Sequence, residues 1–152
     1  MPTTPIEPSH GSYLMPTLEH ATVSDAMHPG ILRCEPDVSL TEVARMMATH
    51  HVHCIVVIGL VHEQPVESLA WGIISDLDLL RASIRDRTER TARAAAQQPV
   101  ITVEPTMPLR EASELMLAHP VNHLVVVHPG SQRPLGILST LDIAGALAWG
   151  EA

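Results

Sequence analysis

The chain has 152 residues, of which 45% are hydrophobic, and it carries a formal net charge of −8 at pH 7 with its histidines neutral. That length fits one globular domain, and the acidic balance argues against nucleic acid as a partner. Because no apolar run approaches the ~20 residues that span a bilayer, we expect no membrane span and no membrane partner.

Residues 1–17 are rich in proline, serine and threonine and show no periodicity, so we predict a flexible N-terminal arm. The arm lacks the basic and apolar regions of a secretory signal, and the chain has only two cysteines, Cys34 and Cys54. A disulfide framework is therefore not expected, and the sequence favours a cytoplasmic protein.

The first predicted unit, residues 18–82, opens with a short extended segment at residues 31–34. A helix follows, because Ser39 and Glu42 have the spacing of a capping box and apolar residues then recur at helical intervals. The apolar stripe consists of Leu40, Val43, Ala44, Met46 and Met47.

Two strands and a second helix complete this unit. Residues 54–58 are a continuous apolar run, which predicts a strand covered on both faces, and residues 70–74 are its hairpin partner. The second helix begins at Asp76 and leads into an arginine-rich connector, residues 83–93.

The same order returns in a second unit, residues 94–149. Three segments recur after 69 positions, with residues 31–36, 40–47 and 50–57 returning as 100–105, 109–116 and 119–126. Each copy is β-α-β-β-α and is too small to bury its own apolar face. We therefore predict an α+β fold of two pseudo-symmetric repeats packed through their sheets, with the functional site between them.

Both copies end in one motif, in which glycine, two apolar residues and serine are followed three positions later by aspartate. Ser75 and Ser139 fall in the predicted first helical turn, and Asp78 and Asp142 follow them. Amides at a helix N-terminus favour phosphate, and a carboxylate accepts hydrogen bonds from ribose hydroxyls. The motif therefore favours a nucleotide. The same spacing is also that of a capping box, which needs no ligand, and both interpretations can hold together.

The repeat, the order of elements and the two motif copies resemble a tandem pair of CBS (cystathionine β-synthase) domains, a Bateman module, over residues 20–149. The resemblance implies inter-repeat clefts that bind an adenosine nucleotide such as AMP, ADP, ATP, NAD or S-adenosylmethionine. That ligand would be regulatory and not a catalytic cofactor, and the protein would signal to an unknown protein target.

The resemblance also assigns roles to residues. The motif serines would face phosphate, and the motif aspartates would hold ribose. The extended segment before each first helix would line the adenine pocket, through Arg33 in one copy and through Thr102 and Val103 in the other. Since Arg33 replaces a smaller residue, we expect the two sites to differ, with Ser139 and Asp142 forming the better one.

The densest group of potential metal ligands is His50, His51, His53 and Cys54. Its spacing matches no closed zinc site, and Cys54 begins an apolar strand in which a buried cysteine acts as a small hydrophobe. We therefore predict no metal site. A metal- or redox-responsive protein and a ligand-free dimeric adaptor remain the alternative functions.

All nine basic residues are arginines. Five of them cluster around the connector, namely Arg81, Arg85, Arg87, Arg90 and Arg93. Two interpretations stay open: a solvated connector with Asp86 and Glu89 as local partners, or one or two arginines that face a cleft and neutralise phosphates.

No serine-hydrolase elbow, metalloprotease helix or P-loop is present in the sequence, so we do not predict an enzyme. The helical stripes leave apolar faces that so short a chain cannot cover, which predicts a homodimer. The resemblance implies that such helices pair two modules with closed symmetry. The residues expected to pair are Leu40, Val43 and Met47 of one copy and Leu109, Ala112 and Met116 of the other.

Overall fold

The structure is a computed structural model that describes residue 18 and residues 20–59, 69–85, 90–96 and 100–149. The predicted arm, residues 1–17, lies outside the described residues. The elements are α1 (Val23–Ala26), β1 (His28–Pro29), β2 (Arg33–Cys34), α2 (Leu40–His50), β3 (Cys54–Gly59), β4 (Leu69–Ser75), α3 (Asp76–Ile84), α4 (Ala92–Ala95), β5 (Thr102–Val103), α5 (Leu109–Ala118), β6 (His123–Val127), β7 (Pro134–Ser139) and α6 (Thr140–Trp149). None of the helices described is long and apolar enough to cross a membrane.

Each repeat folds into its own sheet with the same pairing. In the first sheet β2 is parallel to β3 and β3 is antiparallel to β4, with Arg33 opposite Val56. In the second sheet β5 is parallel to β6 and β6 is antiparallel to β7, with Thr102 opposite Val125. These two residue pairs are related by the shift seen in the sequence, so the predicted α+β class and pseudo-symmetry are confirmed.

The two sheets pack against each other through an aliphatic seam. Its buried members come from the central strands of both repeats, Val56 on β3 and Val125 and Val127 on β6. The partly buried side chains around them are Ile31, Ile73, Val100 and Ile137. Burying a valine side chain contributes about 1.5–3 kcal/mol, so this seam joins the repeats into one unit and confirms the predicted packing through the sheets.

The opening segment of each repeat packs in the core of the other repeat. Helix α1 places Val23 in the core of the second repeat, and α4 places Ala92 in the core of the first. Isolated bridges secure both crossings, Thr22 with Pro108 and Thr91 with Ser39. Each repeat therefore receives in its core a short helix, α4 or α1, that precedes the strands of the other repeat.

The N-terminal segment also supplies an edge strand to the second sheet. β1 is antiparallel to β7, with His28 opposite Ile137 and Pro29 opposite Gly136. A Cβ on Gly136 would overlap the backbone carbonyl oxygen of His28. Because this position has no side chain, β1 can lie against β7 and bring His28 to the carboxyl-terminal half of that strand.

The apolar stripes of α2 and α5 are buried inside their own repeats. Val43 of α2 and Leu109 and Ala112 of α5 are each 0% exposed. The prediction that these faces pair two chains is therefore wrong, because the exchanged helices α4 and α1 pack against them. The exposed large apolar residues of α3 and α6 are Leu77, Leu80, Ile84, Leu141 and Trp149.

Candidate functional site

The motif serines end strands and cap the helices that follow. Ser75 is the last residue of β4 and the N-cap of α3, with extended backbone angles of φ −96° and ψ 166°. Ser139 ends β7 immediately before α6. The sequence placed both serines inside the first helical turn. They lie one residue ahead of it, because an N-cap residue keeps the extended conformation of the strand.

Asp78 closes a capping box with Ser75 and is buried. Its Oδ2 accepts hydrogen bonds from the Ser75 amide at 2.8 Å and from the Ser75 hydroxyl at 3.0 Å. The Ser75 Oγ accepts in turn from the Asp78 amide at 3.2 Å. Arg81 Nη1 lies 3.2 Å from the other oxygen, Oδ1. The capping interpretation is confirmed here, and since two donors fill the lone pairs of Oδ2, a ligand hydroxyl must approach Oδ1.

Asp142 forms the same box in the second repeat. Its Oδ2 accepts from the amide and the hydroxyl of Ser139 at 2.7 and 2.9 Å, and the Ser139 Oγ accepts from the Asp142 amide at 3.2 Å. Here Oδ1 lies 2.6 Å from His28 Nδ1. The carboxylate is 4% exposed and the imidazole 75% exposed. Each aspartate therefore forms a capping box of the same type, but the group that contacts Oδ1 is Arg81 at Asp78 and His28 at Asp142.

The first amides of α3 already have partners within the protein. The Asp76 amide donates to the carbonyl of His53 at 2.9 Å, and the Leu77 amide donates to Asp76 Oδ1 at 2.9 Å. The Asp78 amide is the one that donates to the Ser75 hydroxyl. The residue just before β3 and the side chains of the cap therefore accept from these three amides, and phosphate binding at this helix N-terminus stays a prediction.

A cleft lies between the repeats beside Asp78. The first repeat contributes the end of β4 and the first turns of α3, and the second contributes the segments before β5 and β6. The lining residues are Ile73, Ser75, Leu77, Asp78, Arg81, Val100, Ile101, Pro120, Val121, Asn122 and His123. The cleft combines aliphatic walls with one buried carboxylate and one guanidinium.

The predicted adenine-pocket residues lie elsewhere. Val103 is buried in the second core, and Thr102 and Val103 line a separate pocket that extends to Gln132 and includes none of the motif serines or aspartates. Arg33, the counterpart of Thr102, is exposed on β2. The cleft beside Asp78 is lined by Val100 and Ile101, the two residues just before β5.

A signal for these missed residues exists in the repeat itself. Val100 is the counterpart of Ile31, so both copies keep an aliphatic residue two positions before the parallel strand. Both residues pack around the seam between the sheets. An apolar residue kept at equivalent positions outside the strands indicates a contact between the repeats.

The arginine cluster divides between two environments. Arg81, Arg85 and Arg90 line one pocket that adjoins the cleft, together with Asp78 and three alanines. Arg93 lies 3.5 Å from Asp37, and Arg87 lies outside the described residues. The interpretation that one or two arginines face a cleft is supported by Arg81, which lines both spaces.

The histidine and cysteine group runs from the last residue of α2 to the first residue of β3. His53 Nδ1 lies 3.0 Å from Asp76 Oδ2, and this hydrogen bond is the main cause of the lowered pKa of Asp76. Burial, with smaller effects of Asp76 and Asp142, raises the pKa of Cys54 to about 12. A thiol with that pKa is protonated at neutral pH and is a poor nucleophile and metal ligand. Over the described part of the chain, no three histidine, cysteine or acidic side chains converge on one point.

The environment of His123 leads us to expect a loss of stability in mild acid. Burial lowers its pKa below the ordinary value of 6.5. The titratable groups around it are Asp76, His53, Asp142 and Asp78. A base with a lowered pKa in the folded state binds protons more readily when unfolded. The contribution of neutral His123 to stability is therefore present above a pH of about 6.5 and is lost as the pH falls below that value.

We expect the urea midpoint to fall between about pH 7.5 and about pH 5.5, and the fall to be smaller in His123→Gln. The lowered pKa of Asp76 acts at lower pH and does not enter this window. Falls of equal size in the two proteins would contradict the assignment of this titration to His123.

Two β-α-β-β-α units, packed through their sheets and each capped by a serine and aspartate pair, define a tandem CBS-domain pair. The chain belongs to the CBS-domain family, whose sequence profile matches residues 23–85 and 92–148, one match for each repeat.

Two relatives are similar in sequence. The CBS domain-containing protein YhcV of Bacillus subtilis is 28% identical over 126 residues, which cover 82% of this chain and 84% of YhcV. The uncharacterized protein MK0525 of Methanopyrus kandleri is 26% identical over 129 residues, which cover 83% of this chain and 62% of MK0525. The chain thus spans somewhat less than two thirds of the second relative.

Solved structures share the fold. The CBS domain pair of protein MJ0100, in complex with 5′-methylthioadenosine and S-adenosyl-L-methionine, superposes with a TM-score of 0.73 at 20% identity, covering 84% of this chain and 96% of that one. CBSX2 in complex with AMP superposes with a TM-score of 0.68 at 21% identity, with the same coverage of 84% and 96%.

Proposed function

We propose that this chain is a regulatory protein that binds an adenosine nucleotide in the cleft between its repeats and signals to a protein partner. The observation that carries the proposal is the buried carboxylate of Asp78, which lies in the cleft between aliphatic walls and arginine side chains. The complexes of MJ0100 with 5′-methylthioadenosine and S-adenosyl-L-methionine, and of CBSX2 with AMP, support this class of ligand.

Each part of the nucleotide has a matching part of the cleft in this proposal. The adenine ring lies among Ile73, Val100 and Val121, where burial of apolar surface and dispersion favour a flat ring. The ribose hydroxyls donate to Oδ1 of Asp78. Ser75 holds that carboxylate in place through the cap.

We propose the cleft beside Asp78 as the tighter of two sites, which reverses the order expected from the sequence. At Asp142 a ligand hydroxyl has to displace the imidazole of His28, which lies 2.6 Å from Oδ1. Asp78 instead lines the cleft between the repeats, together with residues of the second repeat. Ser139 and Asp142 form the weaker site in this account.

Titration calorimetry on ligand-free protein tests the function. We expect a saturable heat from at least one of AMP, ATP, NAD and S-adenosylmethionine, with the first equivalent filling the cleft beside Asp78. The absence of heat with all four would overturn the proposal and favour the ligand-free adaptor. That alternative has support of its own, since the hydrogen bonds of Ser75 with Asp78 and of Ser139 with Asp142 form helix caps, a role that needs no ligand.

We further propose that two chains associate through α3 and α6. Leu77, Leu80 and Ile84 have the spacing of one helix face, and Leu141 on α6 is the repeat counterpart of Leu77. Two copies of the chain would cover this exposed apolar surface with closed symmetry.

Light scattering is expected to give twice the chain mass of 16.5 kDa. Leu80→Asp should weaken association at least about thirtyfold, because it places a charge in the centre of the apolar face. Leu117→Asp is the matched control, since Leu117 is 82% exposed and belongs to α5, which is not part of the proposed face. A wild-type mass of one chain, or an equal effect of the two variants, would contradict this pairing.

A further inference from the structure

Three arginine side chains line one pocket of about 150 Å³ next to the cleft. Arg81 and Arg85 are four residues apart and so share a face at the end of α3. Arg90 is half-buried and stands just before α4. Among the residues that the structure describes, Asp78 is the one acidic residue in the lining, and the remaining lining residues are alanines. The pocket is therefore positively charged in a chain whose net charge is −8.

The scaffold fixes the position of these arginines. The Arg90 carbonyl accepts a hydrogen bond from the Leu40 amide at 3.0 Å, and the Ala92 amide donates to the Val38 carbonyl at 2.7 Å. These bonds dock the segment around α4 onto the first repeat, so Arg90 is held opposite α3. Among the residues that the structure describes, neither Arg85 nor Arg90 forms an ion pair.

The pocket is continuous with the cleft. Asp78 and Arg81 line both spaces. One end of the combined space is aliphatic at Val100, its middle carries the buried carboxylate, and its other end carries Arg85 and Arg90. That order matches a ligand with a flat apolar ring, a hydroxyl-bearing middle and an anionic tail.

A second observation places the anionic tail here. The first amides of α3 are occupied by the His53 carbonyl and by the capping side chains, so the helix N-terminus offers them to no phosphate. Guanidinium groups bind phosphate oxygens with two parallel charge-assisted hydrogen bonds each. Arginines in the adjoining pocket thus supply the donors that the helix does not.

We propose that Arg81, Arg85 and Arg90 bind the terminal phosphates of a nucleoside triphosphate, so that the protein prefers ATP to AMP. This inference rests on the proposed function and names the ligand of that same cleft. Ligands without a phosphate tail, such as S-adenosylmethionine, gain nothing from the pocket.

Calorimetry with AMP, ADP and ATP at one ionic strength tests the preference. We expect affinity to rise with the number of phosphates and to be at least about tenfold higher for ATP than for AMP. The double variant Arg85→Ala/Arg90→Ala should lower the affinity for ATP to about that for AMP and leave the affinity for AMP unchanged. Arg133→Ala removes an exposed arginine of the β6–β7 turn and is the control for a change in net charge.

Inorganic tripolyphosphate separates this inference from the proposed function. It should bind the wild type and the Arg133→Ala control, and fail to bind the double variant, whatever the protein does with adenosine. Binding of AMP and ATP with equal affinity would overturn the inference and leave the proposed function standing. Binding of no nucleotide and no tripolyphosphate would overturn both. Circular dichroism of the double variant establishes that it is folded.

Discussion

Asp78→Asn is expected to weaken nucleotide binding about ten- to a hundredfold. The cap requires an acceptor where Oδ2 now bonds the amide and the hydroxyl of Ser75, so the amide oxygen of asparagine takes that place. Its NH₂ group then replaces Oδ1, which can no longer accept from a ribose hydroxyl. The variant thus removes the contact to the ligand and keeps the cap.

The matched control is Asp142→Asn, which has the same cap in the second repeat. Because His28 already occupies Oδ1 of Asp142, we expect a loss of no more than about threefold in the affinity of the first equivalent. Calorimetry measures both variants, and urea unfolding checks that each is folded. A larger loss in Asp142→Asn than in Asp78→Asn would place the main site at the second repeat.

Gly136→Ala is expected to lower the free energy of unfolding by about 2–4 kcal/mol. The new Cβ would overlap the carbonyl oxygen of His28, a backbone atom that cannot rotate away. β1 would have to move off β7, with loss of the hydrogen bond from the Gly30 amide to the Leu135 carbonyl at 2.8 Å. The same movement would withdraw His28 from Asp142.

Gly145→Ala is the control for this substitution. Gly145 lies within α6, and a Cβ there would meet no atom within 4 Å. Alanine should therefore stabilise the helix by up to about 1 kcal/mol. Urea unfolding of both variants decides the matter, and a Gly136→Ala protein as stable as the wild type would contradict the close approach of β1 and β7.

The fold was largely predictable because the sequence pattern of each element of the repeat occurs twice in the chain. The register of Arg33 with Val56 returns as that of Thr102 with Val125, and the aliphatic runs predicted the seam. The cap of α2 was half predicted: Ser39 accepts from the Glu42 amide, but the Glu42 carboxylate pairs with Arg45 at 2.7 Å. A side chain on an exposed helix turn has several partners in reach, so spacing alone does not select one.

The exchange of α1 and α4 was not predictable from local patterns. Each of these helices has four residues, which is too few for an amphipathic period, and each is placed by packing against the other repeat. A residue pattern indicates which side chains of a segment are buried, but it does not indicate which of the two sheets the segment packs against. The predicted dimer faces were wrong for the same reason, since the exchanged helices cover them.

The site was predictable where it depends on local spacing. Ser75 and Asp78 form the predicted pair, as do Ser139 and Asp142, because both pairs lie within one helical turn. The groups that complete each site come from distant segments. His28 reaches Asp142 from the other end of the chain, and the His53 carbonyl reaches the amide of Asp76.

Amide chemical shifts of isotopically labelled, ligand-free protein titrated with ATP test the central claim most directly. A nucleotide in the cleft beside Asp78 should produce its largest shifts at residues 73–81, with further shifts at residues 100–101 and 120–123, which come from the other repeat. Shifts confined to the separate pocket around Thr102 and Gln132, or no shifts at all, would contradict nucleotide binding between the repeats.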